Sequence, residues 1–292
     1  MQTLDDILDL GCRLIDNFKY EEAIEYFSKA TELYPTDPNA YDLKGVALFG
    51  LLKIENAIIE LNRALTCDPL FHLAYFHLAE VSMEQSDFKS ADNFCNQALK
   101  IEPENELYQS TSAYIKLQLH ENEKCIEICN QVLNLNPSNI FATEYRAIAY
   151  MNQNKFENAI TDFEHLYANT MVNSIILNNL GYAYSKVGNI TISKKYLKSA
   201  IDFDPNYSYP YDNLGYVYML EGDFKKAHQL IDKSIELDPT NSYAFKNKAL
   251  VFLKQNDILN TILYLEKAKA LRFDLYYGSE VEDLLTKLRS AE

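Results

Sequence analysis

A chain of 292 residues with 42 acidic and 27 basic side chains carries a formal net charge of −15, which repels a phosphate backbone, so nucleic acid is not an expected partner. Hydrophobic residues make up 48% and charged residues 24%, as in a folded soluble chain, and no apolar stretch approaches the roughly 20 residues that cross a bilayer. The amino terminus, Met1-Gln2-Thr3-Leu4-Asp5-Asp6, carries acid where a secretory signal carries base; the expected location is cytoplasmic, with no membrane partner.

Pro35, Pro69, Pro103, Pro137, Pro205 and Pro239 stand on a lattice of 34 residues, with Met171 and Phe273 at its two remaining points. A fixed period in this range marks one supersecondary unit copied in series, each copy unable to bury its apolar face alone. Eight units follow in chain order: 4–37, 38–71, 72–105, 106–139, 140–173, 174–207, 208–241 and 242–275. Position eight reads Gly11, Gly45, Ala79, Ala113, Ala147, Gly181, Gly215 and Ala249, so two helices are expected to cross closely there. Position twenty is also small: Ala23, Ala57, Ala91, Cys125, Ala159, Ser193, Ala227 and Thr261.

Between these slots apolar residues recur at helical spacing in two runs per unit, separated by a polar turn, which predicts a helical hairpin. In 208–241, Tyr211, Leu214, Gly215 and Tyr218 line one helix and Glu221-Gly222-Asp223 turns the chain. Phe224, Ala227, Ile231 and Ile235 line the next helix, and Asp238-Pro239 ends it, because proline lacks an amide hydrogen and disfavours helix in the residue before it. After Phe273 no ninth unit begins. Tyr276-Tyr277-Gly278 leads into a segment in which Ser279 and Glu282 have capping-box spacing and Leu284, Leu285 and Leu288 share a face; 276–292 is therefore expected to hold a helix, over 279–290, that covers the last open face of the array.

With small residues at eight, twenty and twenty-seven, an aromatic at eleven, a bulky residue at twenty-four and proline at thirty-two, met most fully by units one, two, six and seven, the chain resembles a tetratricopeptide repeat protein over about nine tenths of its length. The resemblance implies an all-α fold, a right-handed superhelical solenoid of antiparallel helix pairs over 4–275. It also implies an inner wall formed by the first helices, with positions two, five, six, nine, twelve and thirteen facing the groove. Departures cluster in unit four, where Cys125, Cys129 and Asn122 replace the usual residues, and in unit five, where Met171 replaces proline. Met171 is expected to mark a seam between two halves.

Through these columns the groove is expected to change character along the chain. Units one to three supply Asp5, Asp9, Asp16, Asp42, Glu80 and Glu84 with no lysine or arginine among them. Units three to five supply Leu73, Phe76, Met83, Leu107, Tyr114, Leu117, Phe141, Tyr145, Ile148 and Met151, either an apolar binding wall or the mutual packing of a tightly wound superhelix. Units six to eight place Asn179, Asn213 and Asn247 at position six, similar to the asparagine ladder by which some members of the family hold peptide backbone, since an amide offers both donor and acceptor. Asparagine there also has a merely structural reading. Tyr182 and Tyr216 at position nine and Tyr209 and Tyr243 at position two would flank the ladder. The carboxylate clamp of the family is not matched: Lys246 is the only lysine at position five, and no full repeat follows it. Charge is uneven as well, with 19 acidic and 8 basic residues in units one to three against 11 acidic and 13 basic in units six to eight, a difference that solvated outer helices would also produce.

The histidines, His72, His77, His120, His165 and His228, show no ligand spacing, and no glycine-rich phosphate loop occurs. Cys95, Cys125 and Cys129 fall at inward positions and read as small core hydrophobes rather than metal ligands. No metal, cofactor or catalytic residue is expected. The reading is a non-catalytic module that binds a peptide segment or protein partner in its groove, as adaptor, chaperone or neutralising partner. The alternatives are a self-assembling scaffold in a homo-oligomer, or an inhibitor that wraps a whole folded toxin or enzyme.

Overall fold

The computed structural model describes residues 3–273 and 279–290; the connection that includes Tyr276-Tyr277-Gly278 lies outside them. Two compact units divide the chain, 1–145 and 146–292. The division falls inside one helix, in the same repeat as Met171.

The first unit holds antiparallel pairs α1 (Leu4–Asp16) and α2 (Tyr20–Leu33), α3 (Pro38–Gly50) and α4 (Ile54–Cys67), α5 (His72–Glu84) and α6 (Phe88–Ile101), and α7 (Glu106–Gln118) and α8 (Asn122–Leu135), then enters α9 (Ile140–Asn152). The second unit continues from α9 through α10 (Phe156–Asn169), the pairs α11 (Ser174–Lys186) and α12 (Ile190–Phe203), α13 (Tyr209–Leu220) and α14 (Phe224–Leu237), and α15 (Ser242–Lys254) and α16 (Ile258–Ala270), to α17 (Glu280–Arg289). The fold is all-α, built of stacked antiparallel helix pairs. Within the units α1 touches α3, α3 touches α5, α11 touches α13 and α13 touches α15, so in each unit the first helices of these repeats form one layer, the one the resemblance places inside.

The crossing at position eight is steric. A Cβ on Gly11 would stand 2.4 Å from Phe27 Cε1, and one on Gly181 would stand 2.5 Å from Leu197 Cγ, far inside van der Waals contact. Phe27 and Leu197, both fully buried at position twenty-four, fill the space the missing methyl leaves, each burial contributing about 1.5–3 kcal/mol. In units three and four alanine occupies position eight and the facing residues shrink to Cys95 and Cys129, both buried.

Every hairpin turns through a residue at position fifteen with positive φ. Gly188 and Gly222 supply it in two repeats, but Phe18, Leu52, Ser86, His120, Asn154 and Asn256 adopt φ of 57° to 60° in the others, a region that costs a side chain roughly 1 kcal/mol. Between repeats, the carbonyl of the lattice proline is clipped by position four of the next unit: Tyr41 Oη donates to Pro35 O at 3.2 Å, Tyr75 to Pro69 O at 3.3 Å and Tyr211 to Pro205 O at 3.0 Å. Where Met171 replaces proline, Thr170 caps α10 by donating to Leu166 O, and Asn173 caps α11 by accepting from the Ile176 amide.

Val281 and Leu285 of α17 are buried against Ala249, Leu265, Ala268 and Phe273, with Leu284 and Leu288 packed beside them. The capping box expected of Ser279 and Glu282 is not formed. Ser279 Oγ donates to Asp283 Oδ2 at 2.8 Å, and Glu282 pairs with Lys269; the longer reach of Glu282 finds a cation on α16 instead of the helix start.

Candidate functional site

In the first unit, Asp42 on α3 is buried at 1% exposure and accepts from His77 Nδ1 on α5 at 2.8 Å. Burial pulls the His77 imidazole pKa down, but the hydrogen bond and charge of Asp42, with Glu80 adding, carry it above its ordinary value. Asp42 is therefore not a groove acid; it belongs to a pair buried between repeats. Phe76 is also buried, stacked on Tyr108 at 4.6 Å, whose hydroxyl meets His72 Nδ1 at 2.7 Å. Leu117 is buried and Met83 half-buried against Ala79 and Cys95.

Other residues of the groove columns, predicted or not, keep open surface. Asp9 is exposed. Glu80 is half-buried, its carboxyl pKa raised by burial and by Asp42 while the His77 charge opposes the rise; Glu144 is half-buried and raised by burial alone. Neither forms an ion pair with lysine or arginine among the described residues. An aromatic strip crosses α7 and α9: Tyr114 lies 5.4 Å from Tyr145, and Tyr145 stacks with Phe141 at 6.3 Å. Phe141 ends the strip with 60% of its surface exposed.

In the second unit the asparagine column divides. Asn213 and Asn247 are buried; Asn213 Nδ2 donates to Asn178 Oδ1 at 2.9 Å and Asn247 Nδ2 to Asp212 Oδ2 at 2.8 Å. Their donors are committed to the preceding repeat and do not face a groove. Asn179 is half-buried, its Oδ1 3.4 Å from Asn178 Nδ2. Tyr182, Tyr209, Tyr216 and Tyr243 are half-buried. Tyr182 and Tyr216 flank the Lys186 ammonium, Tyr209 lies 5.5 Å from Tyr207, and Tyr243 meets Phe273 edge-on at 5.1 Å. Ile148 and Met151 pack against the core of Ala147, Phe163 and Leu180.

Cys95 Sγ donates to Tyr108 O at 3.4 Å, and Cys125 Sγ lies 4.0 Å from Cys129 Sγ and 3.8 Å from Tyr145 O. No group of three or more metal-ligating side chains is assembled among the described residues. No helix among them is long and apolar enough to cross a membrane.

His77, Glu144 and Lys186 were not singled out by the sequence reading as site residues. They occupy positions six, five and thirteen of their units, so a charged or titratable residue in a groove column was the signal available.

Family models for the tetratricopeptide repeat match residues 8–70, 72–105, 175–207 and 208–241, together more than half of the chain. Among solved structures, a chain of the APC/C hetero-tetramer Cut9-Hcn1 aligns at a TM-score of 0.65 and 17% identity, over 85% of this chain and 49% of that one. MamA from Desulfovibrio magneticus RS-1 aligns at 0.53 and 16%, over 58% of this chain and 96% of its own. Yeast Tom70 aligns at 0.52 and 17%, over 94% of this chain and 59% of its own. This chain thus spans about half the length of the Cut9-Hcn1 chain it matches. At these identities the likeness is one of fold.

Proposed function

We propose, from the premise that this chain belongs to the tetratricopeptide repeat family, that it is a non-catalytic module whose inner helix layer binds a segment of another protein. Proteins of this family generally mediate protein–protein interactions, and one structural neighbour is described in complex, as Cut9-Hcn1. The observation that carries the reading is the aromatic strip of Tyr114, Tyr145 and Phe141, whose outer ring is left 60% exposed beside the half-buried carboxylate of Glu144.

A ring exposed to this degree contributes little to the fold, and a carboxylate drawn partly out of water without a cation is costly until one arrives. Both features suit a segment carrying an apolar anchor and a basic side chain. Glu80 offers a second half-buried carboxylate, one on which the His77 imidazole already acts. In the first unit the working surface comprises Phe141, Tyr114, Tyr145, Glu80, Glu144 and Asp9; the second unit, taken by itself, offers Asn179, Tyr182 and Tyr216.

The test is capture of partners by cross-linking in the native cell, followed by titration of the purified partner segment against the wild-type chain and Phe141→Ala. Loss of affinity in the variant is expected. A partner that binds both equally, or a chain that light scattering finds wholly assembled with itself through this surface, defeats the reading.

A further inference from the structure

Lys44, Lys116, Lys194, Lys233, Lys246 and Lys248 are buried or half-buried, and each has a carboxylate within ion-pair distance. Lys186 is the exception among the described residues: it is half-buried and forms no ion pair. Its ammonium rests instead 5.3 Å from the ring centroid of Tyr182 and 5.1 Å from that of Tyr216, the position-nine rings of successive repeats. Aromatic faces hold a cation by their quadrupole but accept no strong hydrogen bond, so the three N–H donors of the ammonium stay available.

A second lysine whose charge acts on Lys186, Lys246, has an exposed partner. Lys246 Nζ meets Glu280 Oε2 at 2.6 Å, with the lysine side chain 7% exposed and the glutamate side chain 59% exposed. Glu280 is the first residue of α17. Both charges act on Lys186: burial and Lys246 pull its pKa down, and Glu280 raises it. Asp212, the buried acid of the same inner layer, accepts from Asn241, Asn247 and Ser234. Below about pH 7, where burial keeps Asp212 protonated, two ammonium groups and one carboxylate leave one positive charge over.

We propose that Lys186 and Lys246, with the rings of Tyr182 and Tyr216, form a subsite for the side-chain carboxylate of an aspartate or glutamate in a bound protein segment, and that Glu280 sits in its near half as an internal stand-in. The inference rests on the reading of the inner layer as a partner surface. A carboxylate is the ligand because one is already seated on Lys246, and because the remaining charge matches a single anion. The site is not the clamp of the family, whose set of lysines and asparagines the sequence lacks.

The probe is an N-acetylated, C-amidated hexaglutamate peptide, titrated into the full chain at low salt with its lysines 13C-methylated and followed by NMR. Hexaglutamine with both ends blocked is the neutral control, and hexaglutamine with a free carboxyl end separates a terminal carboxylate from a side chain. The Lys186 resonance is expected to shift saturably with hexaglutamate alone. Glu280→Gln removes the internal competitor and is expected to tighten binding about tenfold, the equivalent of roughly 1.4 kcal/mol. In that background Lys186→Met abolishes the gain, Lys186→Arg keeps it, and Lys254→Met, at an exposed position, changes nothing. An equal response to hexaglutamate and blocked hexaglutamine, unchanged affinity in Lys186→Met, or binding of the free-carboxyl peptide alone overturns the proposal. With a purified partner segment, sensitivity to Phe141→Ala but not to Lys186→Met keeps the surface reading and removes this subsite; insensitivity to both removes the surface reading itself.

Discussion

Asn247 Nδ2 donates to Asp212 Oδ2 at 2.8 Å, both residues buried, across one repeat interface. The same relation joins Asn213 to Asn178 and His77 to Asp42: position six of one repeat bonds position five of the repeat before it. Burial raises the Asp212 carboxyl from 3.8 to about 7, against the pull of hydrogen bonds from Asn241, Asn247 and Ser234. Because the folded chain holds this proton more tightly than the unfolded chain, the stabilisation is full below about pH 4 and is lost as pH rises through about 7. Asp212→Asn copies the natural Asn178 partner and removes the titration. Denaturant unfolding at pH 5 and pH 8 should show the stability difference between variant and wild type swinging by roughly 2 kcal/mol in the variant's favour at the higher pH. Parallel pH curves would contradict the buried carboxyl.

His77→Asn should act on the neighbouring version of the same bond. The raised His77 pKa means that the charged pair with Asp42 stabilises the fold below the unfolded histidine value near 6.5 and that this contribution is lost as pH rises through the higher folded value. Asparagine keeps a donor facing Asp42, as Asn247 does facing Asp212. The variant is expected to unfold with less pH dependence above about 6.5, and to lose stability chiefly below that value. An NMR titration of the wild-type imidazole gives an independent check: a pKa below the ordinary histidine value sinks the prediction.

Much of this architecture was legible because its determinants are steric and local. Gly11 and Gly181 admit Phe27 and Leu197 only by lacking a Cβ, so the crossing of each pair is written in one column. The inner surface was less legible. Asn213 and Asn247 share a column with Asn179, yet two are buried and one is half-buried. What separates them is the residue 35 positions earlier, a relation between columns that no single column displays. The fifteenth position was hidden for a different reason: Phe18, Leu52 and His120 take the left-handed conformation because the hairpin imposes it, and their side chains give no sign of it.

That imposed turn yields a stabilising substitution. Leu52 has φ of 57° and is 69% exposed, so it pays a backbone penalty with little packing in return. Leu52→Gly should raise stability by about 0.5–1 kcal/mol, since glycine adopts this region freely but also gains disorder when unfolded. Gly222, at φ 82° with open space around its Cβ direction, gives the converse: Gly222→Ala should destabilise by about 1 kcal/mol without any clash. Thermal midpoints that move the same way in both variants would remove the argument from backbone conformation.

Phe141 separates binding from folding most cleanly. With 60% of its surface exposed, its truncation should cost the free chain less than about 1 kcal/mol, well under the 3–5 kcal/mol typical of a buried phenylalanine. If a partner segment buries that ring against Tyr145, Phe141→Ala should weaken binding by roughly tenfold or more, as removal of an aromatic anchor does at other interfaces. Glu144→Gln should instead leave the apolar contact intact and flatten the salt dependence of affinity, because it removes one charge from the pairing with a basic side chain. Calorimetric titrations of both variants at two salt concentrations, beside denaturant unfolding of each free chain, distinguish the roles. A Phe141→Ala chain that loses stability and affinity in equal measure would place the ring in the fold rather than in the binding surface.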